Sequence, residues 1–223
     1  MRLLMTGICD AASEIGIPVT GGETEVIRGI FENSQTINVA AAVFGWREVS
    51  KLITGEKVGV GDSLCVLPSS GVHTNGFSEI VDRFSEIDLA ETLFNLSGNS
   101  DHTVAEWLAK PTVNYLPDIK LLREAGIEIK GAENVTGGGF SGRLLNLLGD
   151  SQLQAKTIRD SMPVPAIFDY LQEKFEWSNY QMFTTFNMGA GMFLVIDKND
   201  CQRAIEAMCE AGRKIYPIGV LEK

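Results

Sequence analysis

Soft metal ligands are scarce in this chain: it has 2 histidines and 4 cysteines among 223 residues. The cysteines (Cys9, Cys65, Cys201, Cys209) form no Cys-x-x-Cys pair, which excludes the usual structural zinc sites and thioredoxin-type redox motifs. Three fall in helical patterns and one in a strand pattern, and they are expected as reduced core thiols of a cytoplasmic protein. Basic residues are also few: 19 lysines and arginines stand against 29 acidic residues, for a formal charge of −10. They form no cluster, so the composition suits neither nucleic acid nor an anionic membrane as partner. No apolar run approaches the roughly 18 residues of a membrane span, and Met1-Arg2-Leu3-Leu4-Met5 lacks the long apolar region of a secretion signal. Internal repeats and low-complexity tracts are absent as well.

Glycine, in contrast, is plentiful and grouped. Four signatures occur in order: Gly21-Gly22-Glu23-Thr24, Ser69-Ser70-Gly71-Val72-His73-Thr74-Asn75-Gly76, Thr136-Gly137-Gly138-Gly139-Phe140, and Thr185-Phe186-Asn187-Met188-Gly189-Ala190-Gly191-Met192. Each sets polar groups beside residues that let the main chain approach a ligand with its amides free. An acidic chain can bind phosphate this way, through backbone N–H groups and helix N-termini instead of bulk charge. The four together point to a site for a phosphorylated small molecule.

Periodicity places these signatures on elements. Leu4, Ile8, Ala11 and Ile15 recur at helical spacing and Gly16 ends the helix. Ile17 to Thr20 and Thr36 to Trp46 read as strands. After a composition change at residues 47–61, a strand is expected over Ser63 to Leu67. A helix follows with Phe77, Ile80, Val81 and Phe84 on one side, and another with Leu116, Ile119 and Leu122 inward. Gly142 to Leu148 reads as a helix, Gln152 to Ile158 as a strand and Pro165 to Phe175 as a helix. Met192 to Ile196 reads as a buried strand. Cys201, Ala204, Ile205, Met208 and Cys209 form one apolar stripe on a helix over 200–211, and a strand near 215–221 closes the pattern. The expected class is α/β, of the α+β kind with a mixed sheet: a remnant of one domain over 1–48, then an α/β domain over 49–223.

Local chemistry leaves several residues with two readings. Gly137, Gly138 and Gly139 feed a helix N-terminus and suit a phosphate, or form a tight turn packed against a neighbour. Arg143, in the first turn, adds charge to that site or is a solvated side chain. His73, after a strand end, orients a substrate or shuttles a proton, or else braces its loop. Glu23 binds magnesium with nucleotide phosphates, or is a surface acid. Asn187 holds the nearby glycine turn through its amide. Trp46, Trp107 and Trp177 are scattered and read as core or rim.

Taken together, these motifs resemble those of the phosphoribosylformylglycinamidine cyclo-ligases (aminoimidazole ribonucleotide synthetases). The likeness covers nearly the whole chain: Gly21 to Thr24, Gly61-Asp62 through Gly76-Phe77, Lys110-Pro111-Thr112 and the helix after it, Thr136 to Arg143, and Met182 to Met192. The resemblance implies ATP and magnesium as cofactors. It also implies phosphorylation of the formamide oxygen of a ribonucleotide substrate, then attack by a nitrogen of the same molecule that closes an imidazole. By position, Glu23 and Thr24 would face ATP, with Glu23 on the metal. His73 and Asn75 would be catalytic, near the substrate. Gly137, Gly138, Gly139 and Arg143 would line an anion pocket, and Asn187 would support the loop closing it. Family members are dimers, each subunit with an N-terminal domain that builds the nucleotide site.

Departures from the family pattern accompany the likeness. Most of that N-terminal domain has no counterpart here, so a truncated or divergent member is expected, inactive alone. Its partner would be a second copy or a separate N-terminal half. Val26 replaces a second carboxylate, and Asn134 stands where the family tends to have histidine. Phe140-Ser141-Gly142-Arg143 keeps the arginine but not the family's asparagine and proline.

Overall fold

The computed structural model describes residues 2–25, 37–84, 89, 92–93, 102–149, 151–157 and 161–223. Val26, Thr36 and Ile158, named above, lie outside them. The chain divides into two compact units, residues 1–52 and 53–223.

In the first unit, α1 spans Arg2–Glu14. Gly16 stops it in the left-handed region at φ 72°, and its amide donates to the Ser13 carbonyl. None of the helix's side chains is buried, and Cys9 is exposed, against the expectation of a core thiol. Residues 17–20 and 37–46 were expected within strands but form none. A strand needs a neighbour to take its N–H and C=O groups, and the described part of this unit supplies no pairing segment. Phe44 is 92% exposed and Trp46 98% exposed, so Trp46 is neither core nor rim here.

The second unit is built on a five-stranded sheet of β1 (Ser63–Pro68), β4 (Ile129–Asn134), β5 (Gln154–Thr157), β6 (Ala190–Ile196) and β7 (Tyr216–Glu222). The order is β4-β6-β1-β7-β5, and every ladder is antiparallel. β2 (Thr92–Leu93) and β3 (His102–Thr103) pair separately. Because side chains alternate along a strand, β1 sends Cys65 and Leu67 to one face and Leu64 and Val66 to the other. Helices α4 (Leu116–Glu124) and α8 (Cys201–Glu210) cover the first face through Leu122, Ala204 and Met208. Helix α5 (Gly139–Leu148) covers the second through Phe140, Leu144, Leu147 and Leu148.

A third cluster joins α2 (Phe77–Arg83), α3 (Val104–Leu108), α6 (Ala166–Phe175) and α7 (Asn179–Thr185) around Phe168 and Phe186. Phe168, Phe186 and Phe193 are fully buried, each contributing about 2–3 kcal/mol of transfer free energy. Arg213 donates from Nε and Nη2 to the two carboxylate oxygens of Asp118, at 2.5 and 2.8 Å, and ties the segment after α8 to α4.

Several apolar stripes are narrower than periodicity alone implies. On α2 only Ile80 is buried, while Phe77 and Val81 are exposed. Leu116 is exposed at the start of α4. Cys209 faces water at the far end of α8, so of the four cysteines only Cys65 is a buried core residue. A helix of two or three turns has room for only two or three residues against the sheet, and the flanking apolar positions fall outside that contact. Among the described residues, no helix is long and apolar enough to cross a membrane.

Candidate anion-binding site

β1 and β4 end at the edge of the sheet where the antiparallel β6 begins. That geometry brings three of the four glycine signatures together. β1 leaves its register with β6 between Leu67 and Pro68, and the Ser69 amide donates to the Gly189 carbonyl at 2.8 Å. Val135 donates to Gly191, and Phe140 donates to Phe186. The bends at 69–76, 135–140 and 186–191 are thus one interlocked assembly.

Asn187 is its hub. Fully buried, it accepts at Oδ1 from the Ser69 hydroxyl and the Gly189 amide, both at 2.9 Å. Its Nδ2 donates to the Gly71 carbonyl at 2.9 Å and to Asn75 Oδ1 at 3.4 Å. Asn75, itself buried, passes the connection on by donating to the Thr136 carbonyl. The Asn187 amide is spent on the loops, and Asn75 gives them one donor and one acceptor position.

His73 occupies the left-handed region at φ 53° and is 5% exposed. Its Nε2 accepts from the Ser70 amide at 3.2 Å and the Val113 amide at 3.4 Å. An acceptor Nε2 places the proton of the neutral ring on Nδ1. Burial holds the imidazole down to about 4. Of the two readings of His73, this arrangement matches the brace: the lone pair a base would use is already engaged. The Ser70 hydroxyl donates to the Pro111 carbonyl at 2.7 Å, fastening the Lys110-Pro111-Thr112 segment to the same assembly. Tyr115, not anticipated from the sequence, donates its hydroxyl to the Pro68 carbonyl at 2.9 Å.

Close packing accounts for several of the glycines. A Cβ on Gly76 would sit 2.3 Å from the Phe186 ring, and one on Gly191 would sit 1.6 Å from the Tyr115 hydroxyl. One on Gly139 would meet the Phe183 carbonyl at 2.7 Å. Gly137 and Gly138 differ. Both are exposed, they precede α5, and their amides have no partner among the described residues. Two free N–H groups at the N-terminus of a helix make a corner chemically able to take an anion. Arg143 shapes that corner: its Nε donates to the Gly137 carbonyl at 2.7 Å and its Nη1 to Glu133 at 3.2 Å. Glu133 offsets part of its charge, a pairing no sequence signal announced.

Glu23 and Thr24 are exposed residues of the first unit, described apart from this assembly. Among the described residues, no three histidine, cysteine, aspartate or glutamate side chains come together as a metal site. The described side chains alone therefore do not compose a magnesium site.

Residues 59–223 match the family described as AIR synthase related protein, C-terminal domain. The phosphoribosylformylglycinamidine cyclo-ligase of Lachnospira eligens is 33% identical over 219 residues, covering 98% of this chain and 63% of that protein. The enzyme of the same name from Alkaliphilus oremlandii is 33% identical over 216 residues, covering 97% of this chain and 62% of its own length. The chain thus spans under two thirds of these relatives. Among solved structures, E. coli HypE, a hydrogenase maturation protein, aligns over 75% of this chain and 45% of its own with a TM-score of 0.46 and 18% identity.

Proposed function

Since the chain belongs to the AIR synthase related proteins through their C-terminal domain, we propose that it is the substrate-side portion of a phosphoribosylformylglycinamidine cyclo-ligase of cytoplasmic purine biosynthesis. The reaction would be the ATP-dependent closure of formylglycinamidine ribonucleotide to aminoimidazole ribonucleotide. The observation that carries the reading is the convergence of three glycine signatures on one sheet edge, with the Gly137 and Gly138 amides open at the start of α5. Those amides would hold the substrate's phosphate, while Asn75, Asn187 and His73 keep the bends in place around it. ATP and magnesium held by the partner's residues would supply the phosphoryl group that makes the formamide oxygen a leaving group.

The residues that hold ATP would come from a partner, either a separate N-terminal half or a second copy, with Glu23 and Thr24 on that side. The exposed Val39, Val43, Phe44 and Trp46 give the first unit an apolar surface for such a partner. The chain alone would then be inactive, because an incomplete site cannot preorganise the transition state. The test is ring closure from formylglycinamidine ribonucleotide, ATP and magnesium, with and without a polypeptide carrying the N-terminal half of a relative. Turnover only in the mixture is expected, and no turnover in either overturns the catalytic reading.

The occupied Nε2 of His73 favours a second reading, a phosphate-binding or assembly module without catalysis. Calorimetry separates the two. Ribonucleotide binding with no turnover in the mixture selects the module, and silence toward every phosphorylated ligand removes both.

A further inference from the structure

Building on the reading of the Gly137–Gly138 corner as the substrate's phosphate site, we propose that Glu133 is a positioning residue for Arg143. It holds the guanidinium so that one free edge, Nη2, joins the two open amides in gripping a phosphate monoester. Glu133 sits near the end of β4, opposite Phe193 of β6. The chain then runs through Thr136 into the glycines, and α5 follows. Arg143 and Asn146 stand three residues apart on α5 and so share a face. Both reach the same carboxylate oxygen: Glu133 Oε1 accepts from Arg143 Nη1 at 3.2 Å and from Asn146 Nδ2 at 2.8 Å. Asn146 thereby steadies Glu133, and Glu133 steadies the guanidinium.

A guanidinium is a planar, rigid fork of donors, so two bonds fix its orientation. Here they are Nη1 on Glu133 and Nε on the Gly137 carbonyl, the latter at 2.7 Å. Nη2 has no partner among the described residues. It lies beside Gly137, 4.0 Å from where a Cβ on that residue would stand. The free edge of the cation and the free amides of Gly137 and Gly138 therefore meet at one bend. Reaching back over the start of α5 sets the Arg143 charge at the positive end of the helix dipole, an unfavourable placement. The Glu133 carboxylate offsets part of it, and a phosphate would offset it further. A phosphate monoester presents three terminal acceptor oxygens, one for each amide and one for Nη2. Without Glu133 the long side chain would keep a single anchor, and binding would have to order it.

The experiment is calorimetry of the full chain with ribose 5-phosphate. Glu133→Gln and Glu133→Ala carry the same charge and differ in the acceptor offered to Arg143, so their comparison cancels the loss of the carboxylate's charge. Glu133→Ala should bind about three- to tenfold more weakly than Glu133→Gln, the effect of ordering one long side chain on binding. Asn146→Ala changes no charge and should weaken binding in the same direction, which keeps the test open where Glu133→Ala does not fold; unchanged affinity in Asn146→Ala overturns the proposal. With Arg143→Ala added, the two Glu133 variants should bind equally, which a merely structural role for Glu133 would not produce. Equal affinities with Arg143 in place, or a difference that persists without it, overturn the positioning role alone. Silence of the unmodified chain toward ribose 5-phosphate overturns the phosphate site and the positioning role together.

Discussion

The state of His73 makes a measurable claim about acid stability. Its imidazole titrates at about 4 in the folded chain against an ordinary 6.5. A base held below its unfolded value contributes stability that is fully present above pH 6.5 and lost as pH falls toward 4, because the unfolded chain takes the proton first. Linkage with these two values removes about 2 kcal/mol between pH 8 and pH 5, and about 3 kcal/mol by pH 4. The structural cause is specific: protonating Nε2 turns the acceptor for the Ser70 and Val113 amides into a donor facing two donors. Urea unfolding at pH 8, 7, 6 and 5 measures the slope, and His73→Gln, which keeps an acceptor oxygen without a titrating group, provides the baseline. The carboxylates held low, Glu106 and Asp197, act in the baseline as well and cancel. With only 2 histidines in the chain, the ring protons can be followed by NMR and assigned with a His102 substitution. A His73 ring titrating near 6.5, or parallel stability profiles for the two chains, would refute the reasoning.

Other expectations separate packing from binding. Gly139→Ala places a Cβ 2.7 Å from a backbone carbonyl at φ 62° and should cost about 3 kcal/mol or more in thermal unfolding, or abolish folding. Gly142→Ala, with nothing within 4 Å, should stabilise the helix by about 0.5–1 kcal/mol in the same assay. Gly137→Ala meets only Arg143, at 4.0 Å, so its melting temperature should hold within about 2 °C, while its Cβ crowds a ligand's approach to the amide, and calorimetry with a ribonucleoside monophosphate should show weakened binding. Unchanged affinity would remove Gly137 from the site. Asn187→Ala strips partners from the Ser69 hydroxyl, the Gly189 amide and the Gly71 carbonyl and should cost about 3 kcal/mol in denaturant unfolding.

Much of the second unit was legible because its signals are local. The apolar runs over Ser63 to Leu67 and before Asp197 follow from strands buried on both faces, and the spacing of Ala204 and Met208 from a helix burying one. What escaped notice had weaker local marking. β4, Ile-Lys-Gly-Ala-Glu-Asn, is an edge strand with little alternation, and its place depends on pairing with β6, some 60 residues later. Helix α7 did leave a trace, the Ser178-x-x-Gln181 capping box, which the glycine-rich signature beside it overshadowed. The strands expected before residue 47 failed for the opposite reason: their apolar content is right, but a strand is defined by a neighbour that the described residues of that unit do not provide.

The glycines show most clearly where sequence reasoning stops. A glycine beside polar residues looks the same whether it makes room for a ligand or for a phenyl ring. Gly76 gives way to Phe186, Gly191 to Tyr115, and Gly139 to the carbonyl of Phe183, and in each case the neighbour is distant in sequence. These glycines are the means by which three bends approach closely enough for Asn187 and Asn75 to join them. Gly137 and Gly138 are left with free amides at a helix start. On the proposed function, the ligand-facing part of the signatures would be a two-residue corner, and the surrounding glycines would serve it by keeping its mount close-packed.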